Sequence, residues 1–195
     1  MRTKINPIAS LTAAIMLAGV TAIFAHNPNG KVDPMNASLE PLQGAEFEQS
    51  YLQQMIQHHR SEIEMAKLVS AHTKRAELQD FANKMISMQQ QEIDQMTGWL
   101  KQWFNAFPMD VANAAADKEM KSHMSMLSDK RDADFDKAFL TMMPMHHHIA
   151  VEMAEQAEKK ATHPEVKEFA TKLAKDQKEE IKQMKSWAQS WFGPA

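Results

Sequence analysis

The chain has 195 residues, no cysteine and a formal net charge of -3 with histidine neutral. Its lysines and glutamates are interspersed, so it carries no basic footprint for nucleic acid and no polybasic patch for an anionic lipid surface. Only 5 glycines and 8 prolines stand among many Gln, Glu, Lys, Ala and Met, which points to a helix-rich chain with one core.

Residues 1–25 read as a secretory signal peptide. Arg2 and Lys4 form a basic start, 8–24 is apolar and uncharged, and cleavage is expected after Ala22 or Ala25. The alternative is an uncleaved anchor, since the apolar run is barely long enough to span a bilayer. Either way the remainder lies outside the cytosol, in the periplasm or secreted, and with cleavage it keeps no stable membrane insertion. There, paired cysteines would become disulfides. A protein that needs a soft sulfur ligand in that compartment would use methionine. The 17 methionines do outnumber the 11 leucines. Methionine fills irregular core gaps, but leucine packs and forms helix at least as well, so packing alone leaves the excess unexplained.

Residues 26–43 form an extended lead. After it, 45–104 aligns without a gap onto 133–192, at a constant offset of 88. The matches include Phe47/Phe135, Met55/Met143, His58/His146, His59/His147, Met65/Met153, Glu92/Glu180, Trp99/Trp187 and Trp103/Trp191.

Each repeat predicts two helices. The first carries Leu52, Met55, Ile56, His59, Ile63 and Ala66 at helical spacing. A break follows at 72–74, where Thr73 can cap the next helix. The second helix shows the stripe Phe81, Met85, Met88, Glu92, Met96, Trp99, Trp103. In the second repeat the break is 162–164, with Pro164 suited to a first helical position. The stripe there is Phe169, Leu173, Asp176, Glu180, Met184, Trp187, Trp191. Short breaks make antiparallel αα-hairpins, 44–104 and 133–195, joined by a Met-rich connection at 105–132. The expected fold is all-α: a ferritin-like four-helix bundle of two repeated hairpins with one long connection, forming one domain over 44–195.

Residues three or four apart on a helix are neighbours. Met55 can therefore share an ion with His58 or His59, Met142 and Met143 each with His146, and Met143 with His147. His58 and Met65 stand too far apart along the axis to grip one ion alone, so a neighbouring helix must complete any site. By phase, His59 and His147 face inward, while His58, with Glu62 nearby, and His146 lie on the flank. Folding each hairpin about its break sets His59 opposite Met88 and Met55 near Glu92, and in the second repeat His147 opposite Asp176 and Met143 near Glu180. Glu92 and Glu180 sit in apolar stripes, where an unpaired carboxylate is costly; they are ligands or partners of a buried histidine. Pro144 should kink the third helix beside its histidines. The connection adds Met120, His123, Met124 and Met126 on a polar stretch that needs no methionine for a core. With Met145, His148 and Met153, these residues complete the candidate ligand set.

Thioethers favour Cu(I), while imidazole suits both oxidation states of copper as well as zinc and nickel. A di-iron site on a ferritin-like bundle needs Glu-x-x-His on two helices, and no glutamate here is followed by histidine at that spacing.

At these residues the sequence resembles the exported, ferritin-like bacterial family called domain of unknown function 305, marked by Met-x-x-His-His followed by Glu-Met. Met55-Ile56-Gln57-His58-His59 with Glu64-Met65 fits that pattern, and Met143-Pro144-Met145-His146-His147 with Glu152-Met153 fits it again. The Glu-x-x-x-Met-x-x-Trp stretches from Glu92 and from Glu180 belong to the same resemblance. Within the family, the additional Met and His make the chain similar to CopM-type periplasmic copper-resistance proteins, which implies Cu(I) and Ag(I) as cargo. The expected function is sequestration or delivery of Cu(I), also Ag(I) and Cu(II), with a copper efflux or sensor protein as the partner. No nucleophile–base pair or phosphate loop is present, so no enzyme is expected. Two other readings stand beside it: a metal-dependent oxidoreductase, for instance one oxidising Cu(I), and an envelope interaction bundle without metal.

Overall fold

The computed structural model describes residues 34–109 and 114–193; the expected signal peptide and the first part of the lead, to residue 33, lie outside the described residues. The chain forms α1 (Pro34–Leu39), α2 (Gly44–Lys67), α3 (Val69–His72), α4 (Ala76–Phe104), α5 (Ala114–Ser128), α6 (Asp132–Lys160) and α7 (Pro164–Phe192). Helices α2 and α4 pack as one hairpin and α6 and α7 as the other, with α2 against α6 between them. The fold is the expected all-α four-helix bundle of two hairpins. Helix α5 lies across α2 and α6, and α1 packs on the same two helices. Among the described residues no helix is long and apolar enough to cross a membrane.

The corners follow from local chemistry. Thr73 does not take the N-cap of α4; that position falls to Arg75, which has no side-chain cap. Thr73 acts one step earlier, its hydroxyl accepting from the Arg75 N–H at 3.1 Å while Gln79 donates back to its carbonyl at 2.9 Å. Helix α4 ends at Asn105 in the left-handed region, φ 47°, and the Ala106 N–H donates to the Leu100 carbonyl at 3.1 Å; asparagine tolerates that conformation better than most residues. Pro164 opens α7, where its missing N–H costs nothing and its fixed φ suits the helix. Helix α6 runs through Pro144 from Asp132 to Lys160.

The repeat appears as reciprocal contacts. Phe81 meets Trp187 edge-on with centroids 5.5 Å apart, and the equivalent Phe169 meets Trp99 at 5.3 Å. Arg75 lies over Trp191 at 4.0 Å, and its equivalent His163 stacks on Trp103 at 3.8 Å. Each of these contacts joins one hairpin to the other or closes a hairpin end.

Two apolar clusters fill the bundle. One gathers Phe47, Tyr51, Leu52, Leu100, Ala154, Phe169 and Leu173; the other gathers Met65, Val69, Leu78, Met85, Phe135, Phe139 and Met184. Burying each large side chain contributes about 1.5–3 kcal/mol. Along α4, α6 and α7 the two clusters are separated by buried or half-buried polar residues, including Gln89 and Glu92, His147, and Gln177 and Glu180. This polar layer holds the site.

Candidate metal centre

Each inward histidine meets a glutamate of its own hairpin. His59 Nε2 stands 2.9 Å from Glu92 and His147 Nε2 stands 2.8 Å from Glu180. The register thus differs by one turn from that expected, which put Met88 opposite His59 and Asp176 opposite His147. The second helix of each hairpin starts after an N-cap at Arg75 or His163. Met88 is instead exposed, while Met55 and Met143 are buried in the apolar clusters.

Glu62 is not a flank residue. It is fully buried: Oε1 accepts from His147 Nδ1 at 2.8 Å and Oε2 accepts from Gln89 at 2.7 Å. His58 Nδ1 and His59 Nδ1 lie 3.4 and 3.9 Å from its Oε2. An isolated buried carboxylate would cost several kcal/mol. Here burial pushes the Glu62 pKa up, but the charges of His147 and His58, with the hydrogen bond from His147, outweigh it and hold the carboxyl well below its ordinary range. Burial acts to lower the His147 pKa, and Glu62 and Glu180 overcome that and raise it to about 10.

His58 also departs from the expected flank position. It is only 4% exposed, on a helix that packs against both α5 and α6. Neither of its ring nitrogens, nor His59 Nδ1, has a hydrogen-bond partner among the described residues. Donor atoms of His58, His59 and Glu62 all lie within 4.8 Å of one another, close enough to grip one ion. Beyond them the His146 ring lies 5.9 Å from that of His58, tilted by 52°, and His146 Nε2 meets His123 Nδ1 at 2.9 Å. Burial and the neighbouring His58 push the His146 pKa down to about 3, so that this imidazole stays neutral. A file of imidazoles therefore runs from the buried His59 and His58 to the half-buried His146 and His123.

The other expected ligands scatter around this file. Met142 and Met124 are half-buried against the Met65 cluster, Met145 is half-buried, and Met126 is exposed on α5. Met120 lies on α5 with its side chain outside the described part. Met65 and Met153 are buried in opposite apolar clusters. His148 is exposed and meets Glu152 at 3.3 Å, and Glu152 is itself held by Asn36 of α1 at 2.7 Å. Sequence reasoning missed Gln89, the donor that steadies Glu62. Its signal was a glutamine repeated at Gln177 on an otherwise buried helix face.

The family model described as "Domain of unknown function (DUF305)" matches residues 25–100 and 48–188. The chain belongs to this family. Solved structures bear out the likeness seen in the motifs. The DUF305 chain is similar to CopM in its Cu(I)-bound form, with 31% identity, TM-score 0.66 and coverage of 75% of this chain and 98% of CopM. It is similar to CopM in its Cu(II)-bound form at 32% identity and TM-score 0.62, covering 74% and 98%. A putative secreted DUF305 protein from Streptomyces coelicolor shares the fold at 22% identity and TM-score 0.62, covering 70% and 89%. No curated protein matches the sequence.

Proposed function

We propose that this DUF305 protein is a periplasmic copper-binding protein, one that holds Cu(I), and likewise Ag(I) and Cu(II), as cargo rather than transforming it. The observation that carries this reading is the pair His58 and His59. Both are buried beside an ionised Glu62, and three of their ring nitrogens have no hydrogen-bond partner. Buried polar atoms without partners are costly, and a bound ion supplies the missing interaction. Further support comes from CopM, whose structures include Cu(I)-bound, Cu(II)-bound and silver-bound forms.

In this reading His58, His59 and Glu62 form the inner site. His146 and His123, with Met142, Met145, Met124, Met126 and Met120, form a softer outer path. Imidazole accepts either copper oxidation state, while thioethers favour Cu(I) and Ag(I). The gradient from thioether-rich surface to imidazole interior suits uptake and release to a partner such as a copper efflux or sensor protein. The N-terminal signal pattern supports the periplasmic setting. The test is an anaerobic titration with Cu(I), Cu(II) and zinc, reading bound metal per chain. Retention of Cu(I) against a competing chelator is expected, and zinc bound in preference to copper would refute the reading.

A further inference from the structure

The repeat supplies two inward histidines, yet the structure treats them differently. Through Nε2 they are alike, His59 on Glu92 and His147 on Glu180. Through Nδ1 they are not. His147 Nδ1 donates to Glu62 at 2.8 Å, whereas His59 Nδ1 has no hydrogen-bond partner. The cause lies in one unmatched residue. At the repeat offset, the counterpart of Glu62 is Ala150, which is fully buried and carries no acceptor. The first repeat lends its carboxylate to the second repeat's histidine and receives none in return.

We infer that His147 is a positioning residue and not a metal ligand: held between Glu62 and Glu180, it turns Glu62 toward His58 and His59, so that the protein builds one inner copper site where its repeats would make two. This rests on the proposal that His58, His59 and Glu62 bind copper. Both neighbours of the His147 ring are acceptors, so both of its nitrogens donate and neither offers a lone pair. For His147 to bind metal, a carboxylate would have to lose its partner, and Glu62 has no exposure to solvent that could replace it. His58 and His59 face no such exchange, since neither ring nitrogen of His58, nor His59 Nδ1, has a hydrogen-bond partner among the described residues. Glu62 can serve both sides at once: Oε1 faces His147, and Oε2 lies nearest His58 and His59. Gln89 bonds the same Oε2 at 2.7 Å and limits its rotation. Hydrogen-bond partners of this kind orient a ligand, and their loss weakens metal affinity by about 10–100-fold.

The experiment is a silver titration of the full chain labelled with nitrogen-15 in histidine, since Ag(I) is diamagnetic and leaves ring signals visible. The ring nitrogens of His58 and His59 should shift as silver binds, while His147 keeps both ring N–H signals throughout. In parallel, His147→Gln should bind the inner silver ion at unchanged stoichiometry but about 10–100-fold more weakly, measured well below its melting temperature, where a purely structural role would leave affinity intact. His59→Gln should lose that ion. Loss of a His147 N–H signal on silver binding overturns the inference and leaves copper binding standing. So does affinity unchanged in His147→Gln. If no ring shifts and no silver is retained, the functional reading falls and the inference with it. Should His147→Gln fail to fold, the labelled wild-type chain decides alone.

Discussion

Glu48 on α2 accepts two hydrogen bonds from His163 at the start of α7, one from the backbone N–H at 3.1 Å and one from the ring at 2.9 Å. The Thr162 hydroxyl donates to the same carboxylate. A residue of the first hairpin thus holds the start of a helix of the second, and the repeat partner Asp136 holds the Arg75 side chain at the start of α4 through a single bond at 3.0 Å. Glu48→Ala removes three hydrogen bonds to one buried carboxylate and should cost about 1–3 kcal/mol, lowering the melting temperature by roughly 2–4 °C per kcal/mol for a domain of this size. Asp136→Ala should cost less, because one bond is lost rather than three. Thermal melts of the two variants check the order. Equal shifts would contradict it.

A second prediction separates the two histidines of α2. His58 is buried with unpaired nitrogens, so replacing it with an apolar side chain of similar size removes a cost. His58→Leu should leave the apo melting temperature unchanged or raise it. His59→Leu strands Glu92 and should destabilise the apo protein by about 1–3 kcal/mol. Paired apo melts decide this, and a large loss in His58→Leu would show that its ring is structural.

Acid should not empty the protein of silver. Imidazole competes with protons below its usual pKa of about 6.5, but a thioether has no proton to take up. Silver held by Met142, Met145, Met124 and Met126 should therefore survive dialysis at pH 4, while the inner ion is lost. Complete loss at pH 4 would remove the methionines from the account.

Leucine tests the same methionines another way. Met126 is exposed and Met124 half-buried, so replacing both by leucine leaves the core intact. The variant should melt like the wild type yet bind fewer silver ions per chain. Unchanged binding would mean that α5 carries methionine for packing or by drift.

The bundle was legible because its signals are local and repeated: apolar stripes at helical spacing, and two tryptophan pairs in register across the repeat. The site was legible only in composition. Helical phase placed His59 and His147 inward correctly, but it could not show that His58 is buried too, since nothing in α2 encodes the path of the helices that pack on it. The one-turn difference that brings Glu92 to His59 was not legible, because break residues alone do not fix where the second helix of a hairpin starts. The role of Glu62 was hidden for a related reason. Its partner His147 lies 85 positions away, and only the absence of a glutamate at Ala150 marked the asymmetry.

The central claim is that buried imidazoles of α2 hold copper, and the most direct measurement compares Cu(I) bound per chain, anaerobically and against a competing chelator, in the wild type and in His58→Leu. The expected result is a folded variant that retains fewer Cu(I) ions per chain than the wild type, with the inner ion missing. Equal Cu(I) retention by the two proteins would contradict it.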